Sequence, residues 1–98
     1  MKFINVTHNH RKMVQKQLDN TDAHLVQVYS AGNTTFIYEE APKHSEILIV
    51  NKRRNVREDE VEQILEFLAP HLQENHLNPD KISRIDLGSA VELTVIRD

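Results

Sequence analysis

The sequence predicts an α+β fold, a two-layer α/β sandwich with a mostly antiparallel sheet and two main helices on one of its faces. Three features carry this prediction: short segments in which apolar and polar residues alternate, a Gly-Asn turn between two of them, and one long amphipathic segment. In chain order the predicted strands and helices are βαβββαβ. A chain of 98 residues has room for one hydrophobic core, so residues 1–98 are expected to form a single domain.

The first half of the chain is predicted to hold a strand, a helix and a hairpin. Residues 2–6 form the first strand, and a short helix is expected to follow Thr7. Residues 24–30 and 34–40 then alternate as strands do. The residues between them, 31–33, include Gly and Asn, which tolerate a positive φ, so the two strands are expected to pair through a tight turn.

The second half is predicted to hold a central strand and the longest helix. Residues 47–50 are apolar without interruption, as expected of a strand covered on both faces. Asn55 and Glu58 stand three apart, as in a capping box, and predict the start of the helix. The apolar stripe of this helix consists of Val61, Ile64, Leu65, Leu68 and Leu72. Pro70 lies inside it and predicts a kink or a fresh helical start.

The last part of the chain is predicted to hold a turn and one strand. Residues 78–80, Asn-Pro-Asp, favour a turn or the start of a short helix. Residues 90–96 follow Gly88 and alternate as a half-buried strand does.

The composition excludes several classes of function. There is no cysteine, so disulfides, thiol nucleophiles and thiolate metal sites are absent. Only two glycines occur, and no phosphate-cradling loop is present, so no nucleotide cofactor is expected. The net charge of −3 gives no overall attraction to nucleic acid or to an anionic membrane. Without a signal peptide or a long apolar segment, the expected location is the cytoplasm, with no membrane contact.

Histidine offers the remaining route to a metal site or to catalysis. His8 and His10 form the one close pair among six histidines, and they need two further ligands to hold zinc. The alternative is an exposed helix start, where residues two apart do not face each other. His71 and His76 miss the four-residue spacing of a helical metal pair, and no serine lies in a nucleophile elbow. We therefore expect no catalytic residue, no metal and no cofactor.

One charged segment, here called the basic turn, is a candidate anion site. Its cations are Lys52, Arg53, Arg54 and Arg57. They precede a helix N-terminus, where backbone N–H groups favour phosphate, so nucleic acid or a phosphorylated ligand is one possible occupant. The alternative is a solvated loop whose arginines pair with the acidic residues that follow, Glu58, Asp59 and Glu60. No aromatic residue interleaves with the turn, so base stacking is not expected.

Phe67 lies off the apolar stripe of the long helix. It either widens the buried face or marks an exposed apolar spot for a second subunit, which would make a homodimer. The sequence has enough apolar positions for a hydrophobic core but no catalytic motif. This favours a non-enzymatic regulatory or protein-interaction module with an unknown protein partner. Anion binding at the basic turn is the alternative.

Three segments resemble a family of known sequence but unknown function. These are residues 3–7, Phe-Ile-Asn-Val-Thr, the hairpin at 28–35, and Glu40-Ala41-Pro42. They resemble a domain-of-unknown-function family of lactic-acid and related Gram-positive bacteria, along the whole chain. The resemblance implies a compact cytoplasmic protein and assigns no functional residue.

Overall fold

A computed structural model describes residues 1–97 and confirms the α+β class. Its sheet has six strands in the order β1-β2-β3-β4-β6-β5, and every neighbouring pair is antiparallel. The elements are β1 (Ile4–Asn5), a 3-10 helix (Thr7–His10), α1 (Arg11–Asn20), β2 (Leu25–Ala31), β3 (Thr34–Glu40), β4 (His44–Asn51), α2 (Glu58–Glu74), β5 (Leu77–Asp86) and β6 (Ala90–Arg97).

The structure adds one strand, β5, to the order that the sequence predicts. Residues 78–80, predicted as a turn or a helix start, lie inside this strand. Among the described residues 1–97, β5 pairs with β6 alone, and the register shifts between Leu77 and Ile82. Such an edge position tolerates a proline, because one side of the strand makes no ladder hydrogen bonds. The local sequence lacks alternation, so pairing with β6 decides the strand.

Helix α2 covers one face of the sheet and encloses the main core. The core cluster consists of Phe36, Tyr38, Ile47, Ile49, Val61, Ile64, Leu68, Leu72, Leu77, Val91, Leu93 and Val95. The strand members alternate with residues that point to the other face, whereas the α2 members follow the predicted apolar stripe. Burial of these side chains against each other supplies most of the stabilisation.

The placement of α1 corrects one expectation. Val26 and Val28 are buried, and their register with Glu39 and Ile37 puts them on the face opposite to Phe36 and Tyr38. Gln17 of α1 lies beside the Glu39 carboxylate on that opposite face. The sequence predicts both helices on one face, but strand alternation leaves β2 with a second buried side, and α1 covers that side.

Helix α2 begins two to three residues later than the Asn55–Glu58 spacing predicts. Arg57 precedes the helix, and its backbone N–H donates to Glu60 Oε1 at 2.9 Å, three residues further on. Asn55 instead abuts Gly88, which adopts φ +80°, so the turn before α2 packs against the turn before β6. The helix continues through Pro70 as one element, so the fresh helical start is not observed.

Candidate functional site

The structure divides the basic turn between solvent and the start of α2. Lys52 and Arg53 are exposed beyond the end of β4. Arg54 places Nη1 2.6 Å from Glu60 Oε1, so one cation of the turn forms an ion pair with a buried carboxylate. Arg57 supplies its backbone N–H to the same oxygen. The pairing of an arginine with the acidic helix start, one of the two alternatives for this turn, is therefore found at Arg54.

Glu60 is the centre of a buried polar network at this end of the sheet. Its side chain is only 2% exposed, and the Thr34 hydroxyl donates to its second oxygen. Asn51 donates to the Thr34 hydroxyl at 2.9 Å, which links the network to β4. Burial opposes the charge of Glu60, but the hydrogen bonds from Arg54, Thr34 and the Arg57 backbone lower its pKa to about 2. The network fastens the first turn of α2 to the sheet.

A second buried carboxylate, Glu40, lies at the other end of β3. It is one of the least exposed acidic residues of the described chain. His24 Nε2 lies 2.9 Å from its Oε1, while His71 Nε2 and the Tyr38 hydroxyl each lie 2.8 Å from its Oε2. Ser45 is 3.0 Å from the same hydroxyl. We call Glu40, His24, His71 and Tyr38 the histidine–glutamate cluster.

The electrostatics of this cluster indicate a buried carboxylate whose hydrogen bonds are supplied by the protein itself. Burial tends to raise the pKa of Glu40, but hydrogen bonds from His24, Tyr38 and His71 together hold it below its ordinary value. Burial is also the main reason that the pKa of Tyr38 is raised. The cluster joins the segment before β2, the end of β3 and the second half of α2. Tyr38 is two residues from Glu40, but the two histidines come from distant positions, so no local sequence spacing reveals the cluster.

The histidine pair considered for zinc does not assemble a site. His8 and His10 are exposed on the 3-10 helix and at the start of α1. Within residues 1–97, no group of three or more histidine, aspartate or glutamate side chains is arranged to hold a metal ion. His44 approaches Glu46 at 3.5 Å on the sheet.

Phe67 packs at the edge of the core and keeps part of its surface exposed. Its ring centroid lies 5.2 Å from those of Phe3 and Tyr29 and 6.1 Å from that of Phe36. Edge-to-face geometry of this kind stabilises aromatic clusters. The side of α2 bearing Phe67 thus widens the buried face, and 43% of the residue is left accessible.

The remaining feature is the sheet face that α2 does not cover, here called the open face. By strand register its members are Ile37, Glu39, Glu46, Leu48, Ile85, Glu92 and Ile96. Leu48 lies opposite Glu92, and Glu92 lies opposite Ile85, so one row crosses three strands. Ile85 is 56% exposed and Ile96 is 47% exposed. The uninterrupted apolar run at residues 47–50 indicated that β4 is apolar on both faces, but not that part of the second face is left uncovered.

A shallow groove crosses the open face between β4, β6 and β5. Glu46, Leu48, Ile85, Glu92 and Thr94 are among its lining residues. Its volume is about 120 Å³. Small-molecule sites usually enclose ~300 Å³ or more. The groove therefore suits single side chains of a docked protein segment better than a metabolite.

Carboxylates are concentrated on the open face. Glu39 and Glu46 lie directly opposite each other on β3 and β4, an arrangement of like charges that destabilises a sheet. Burial raises the pKa of Glu39 above its ordinary value, and the nearby Glu46 charge raises it further. Glu92 lies opposite Leu48, diagonally next to Glu46. The face thus has Ile37 and Leu48 next to each other, Ile85 on the far side of Glu92, and Glu39 and Glu46 beside them.

Comparison with known proteins gives a family and a fold relative. A family model described as "Domain of unknown function (DUF1827)" matches residues 1–96. A crystal structure described as that of a conserved protein of unknown function from Streptococcus thermophilus LMG 18311 is 42% identical to this chain. The similarity covers 99% of this chain and 97% of the other, with a TM-score of 0.92. These findings confirm the resemblance found in the sequence.

Two further findings concern relatives and membrane contact. No curated protein matches the chain. Among residues 1–97, no helix has the length and apolar character needed to cross a membrane.

Proposed function

We propose that this chain, which belongs to the DUF1827 family of domains of unknown function, is a protein-interaction module that docks other protein on its open face. The observation that carries the proposal is the row of Leu48, Glu92 and Ile85 across three strands, with Ile85 56% exposed. The role is non-enzymatic and regulatory, and we place it in the cytoplasm, in line with a sequence that lacks cysteine.

The arrangement of apolar side chains distinguishes this face from ordinary surface. Single exposed apolar residues are normal on soluble proteins. Here half-buried Leu48 and Ile37 lie directly opposite each other, and exposed Ile85 lines one groove together with Leu48. Contiguous apolar surface rimmed by polar residues is typical of protein-protein contact sites.

The buried carboxylates support a non-catalytic role. The three hydrogen bonds to Glu40 come from protein groups, and Glu60 likewise accepts from Arg54, Thr34 and the Arg57 backbone. A general acid or base must reach the proton it transfers within about 3 Å. Carboxylates that already accept hydrogen bonds from several protein donors are better suited to holding α2 against the sheet than to transferring protons.

Site-specific photo-crosslinking in living cells tests the proposal. We expect a benzophenone amino acid in place of Ile85 to give covalent protein adducts on irradiation, and Glu92→Lys in the same chain to remove them. The matched control carries the benzophenone in place of Glu62, an exposed residue of α2. Absence of adducts from position 85, or equal adducts from both positions, contradicts docking on the open face.

Anion binding at the basic turn is a second proposal. It is favoured by the exposure of Lys52 and Arg53, neither of which forms an ion pair with a carboxylate among residues 1–97. Arg54 contributes less, because Glu60 neutralises it. The available charge is therefore smaller than the four cations of the sequence suggest.

Nucleic-acid titration tests this second proposal. We expect the chain to bind single-stranded RNA at ~50 mM salt with an affinity that falls steeply as salt rises. Lys52→Glu with Arg53→Glu should abolish binding, because these adjacent cations are exposed, form no ion pair among residues 1–97, and their reversal adds two negative charges to the turn. Glu62→Lys is a control for altered charge elsewhere. No RNA binding at low salt ends the proposal.

A further inference from the structure

Helix α1 covers only one half of the sheet face on which it lies. Val26 and Val28 of β2 are buried beneath it, whereas Ile85 of β5 and Ile96 of β6 on the same face are exposed. Gln17 of α1 reaches Glu39 of β3, and the groove over β4, β6 and β5 begins beyond that contact. The axes of its outer strands, β4 and β5, are two strand spacings of ~4.8 Å apart, close to the ~10 Å diameter of a helix.

We infer that the occupant of the uncovered half is helix α1 of a second copy of this chain, and that the first copy's α1 occupies the second copy's open face in return. This inference rests on the proposed docking function of the open face. It describes a two-fold dimer in which two sheets face each other with two α1 helices side by side between them. The arrangement is closed, because each surface is used once by the partner.

Charge complementarity carries the inference. The outer side of α1 bears Lys12 and Lys16, four residues apart and both exposed. Neither forms an ion pair among the described residues 1–97. The open face bears Glu46 and Glu92 beside the groove. Basic side chains of a partner's α1 therefore meet carboxylates, and their aliphatic stems cover exposed Ile85.

The same charges disfavour the simpler dimer in which the two open faces meet directly. That contact would bring Glu39, Glu46 and Glu92 of one copy against the same residues of the other. Like charges brought together without water destabilise an interface by several kcal/mol. Docked lysines from α1 instead relieve the repulsion between Glu39 and Glu46 that the isolated chain retains.

The expected dimer is weak and sensitive to salt. A helix of 10 residues is about 15 Å long, so two such contacts bury less than the ~1,200 Å² of standard interfaces. We expect association to be detectable at ~100 µM protein and low salt, and to decrease about tenfold or more near 1 M salt, where the Debye length is ~3 Å.

A charge-swap experiment tests the inference by analytical ultracentrifugation of the full chain. The sheet variant carries Glu46→Lys and Glu92→Lys, and the helix variant carries Lys12→Glu and Lys16→Glu. Each alone should lose about tenfold or more in dimer affinity, because both of its symmetric contacts become repulsive. Mixed in equal amounts, the two variants should form a heterodimer of near wild-type affinity, since both contacts are then attractive. Circular dichroism verifies that each variant is folded.

The control carries Glu62→Lys and Glu66→Lys, the same change of charge on the exposed side of α2. It should dimerise as the unmodified chain does. A chain that stays monomeric at ~1 mM and low salt overturns the inference. So does a mixture of the two variants that fails to associate, or a control that loses affinity as much as the sheet variant.

The outcomes separate this inference from the docking proposal. If position 85 crosslinks only to other proteins and the charge swap fails, the open face is a docking site but its occupant is not a second copy. If position 85 gives no adduct and the chain is monomeric, both are wrong. Adducts between two copies, joining position 85 to α1, together with restored association, support both.

Discussion

Replacement of Glu60 by glutamine is expected to lower the free energy of unfolding at pH 7 by about 3 kcal/mol. Glu60 is 2% exposed and accepts hydrogen bonds from Arg54 Nη1, the Thr34 hydroxyl and the Arg57 backbone. Glutamine keeps the size of the side chain but replaces one acceptor oxygen by a donor, so an existing donor loses its partner. Urea unfolding followed by circular dichroism measures the loss.

The dependence on pH gives a second, independent measure of the same interaction. The pKa of Glu60 is lowered from 4.5 to about 2, so the folded state favours the ionised form. The resulting stabilisation is complete above the ordinary pKa and is lost as pH falls through 4.5 towards about 2. The difference in stability between the unmodified chain and Glu60→Gln should therefore shrink steadily across this range.

Glu62→Gln is the matched control, because Glu62 lies two residues away on α2 and is exposed. It should change the free energy of unfolding by no more than about 0.5 kcal/mol. Equal effects of the two substitutions, or a Glu60→Gln effect that does not depend on acid pH, would contradict the assignment of Glu60 as an ionised buried anchor.

Replacement of Glu40 by alanine is the second large effect, with an expected loss of about 3 kcal/mol. The substitution removes the acceptor shared by His24, His71 and Tyr38. The Tyr38 hydroxyl accounts for most of this loss, because it is buried and, within the described part of the chain, keeps only Ser45 as a hydrogen-bond partner. His24→Ala and His71→Ala should each lose about 1 kcal/mol or less, since both side chains are partly solvated.

Glu39→Ala is the control for this position, because Glu39 is adjacent in sequence but points to the open face. Removal of its charge relieves repulsion from Glu46, so the free energy of unfolding should stay unchanged or rise. In the unmodified chain the lowered pKa of Glu40 gives stability that is present above its ordinary value of 4.5 and disappears as pH falls below it. A Glu40→Ala loss no larger than that of Glu39→Ala would disprove the buried cluster.

The two carboxylates act at opposite ends of the same strand. Thr34, the partner of Glu60, begins β3, and Glu40 ends it. Six residues of strand span about 20 Å. Effects of substitutions so far apart usually add. Glu40→Ala combined with Glu60→Gln is thus expected to remove about 6 kcal/mol, a large part of the ~5–15 kcal/mol that stabilises a typical domain.

Much of the fold follows from patterns that are local in the sequence. Alternation at residues 34–40 and 90–96, and the spacing of Val61, Ile64 and Leu68, indicate their elements because burial against a core repeats with the period of the backbone. The Gly32-Asn33 turn joins β2 and β3 as predicted, with Gly32 at φ +61°. The start of α2 and the strand β5 differ from prediction, because tertiary contacts set both.

The candidate sites depend on positions distant in sequence. The pairing of Arg54 with Glu60 lay within reach of local reasoning, because the two residues are six apart. His24, Glu40 and His71 meet only when α2 folds over the end of β3. The open face required knowledge of which half of the second sheet surface α1 leaves uncovered.

The sequence by itself determined the α+β class, the central strand, the long helix and the absence of thiol chemistry, because composition and periodicity act on each segment separately. The tertiary structure decided which charged residues are buried, which sheet face is covered, and where apolar and acidic side chains adjoin. These properties depend on strand register and helix placement, which fix side-chain environments across distant segments. Glu40 and Glu60 illustrate the distinction, since neither differs in local sequence from an exposed acid.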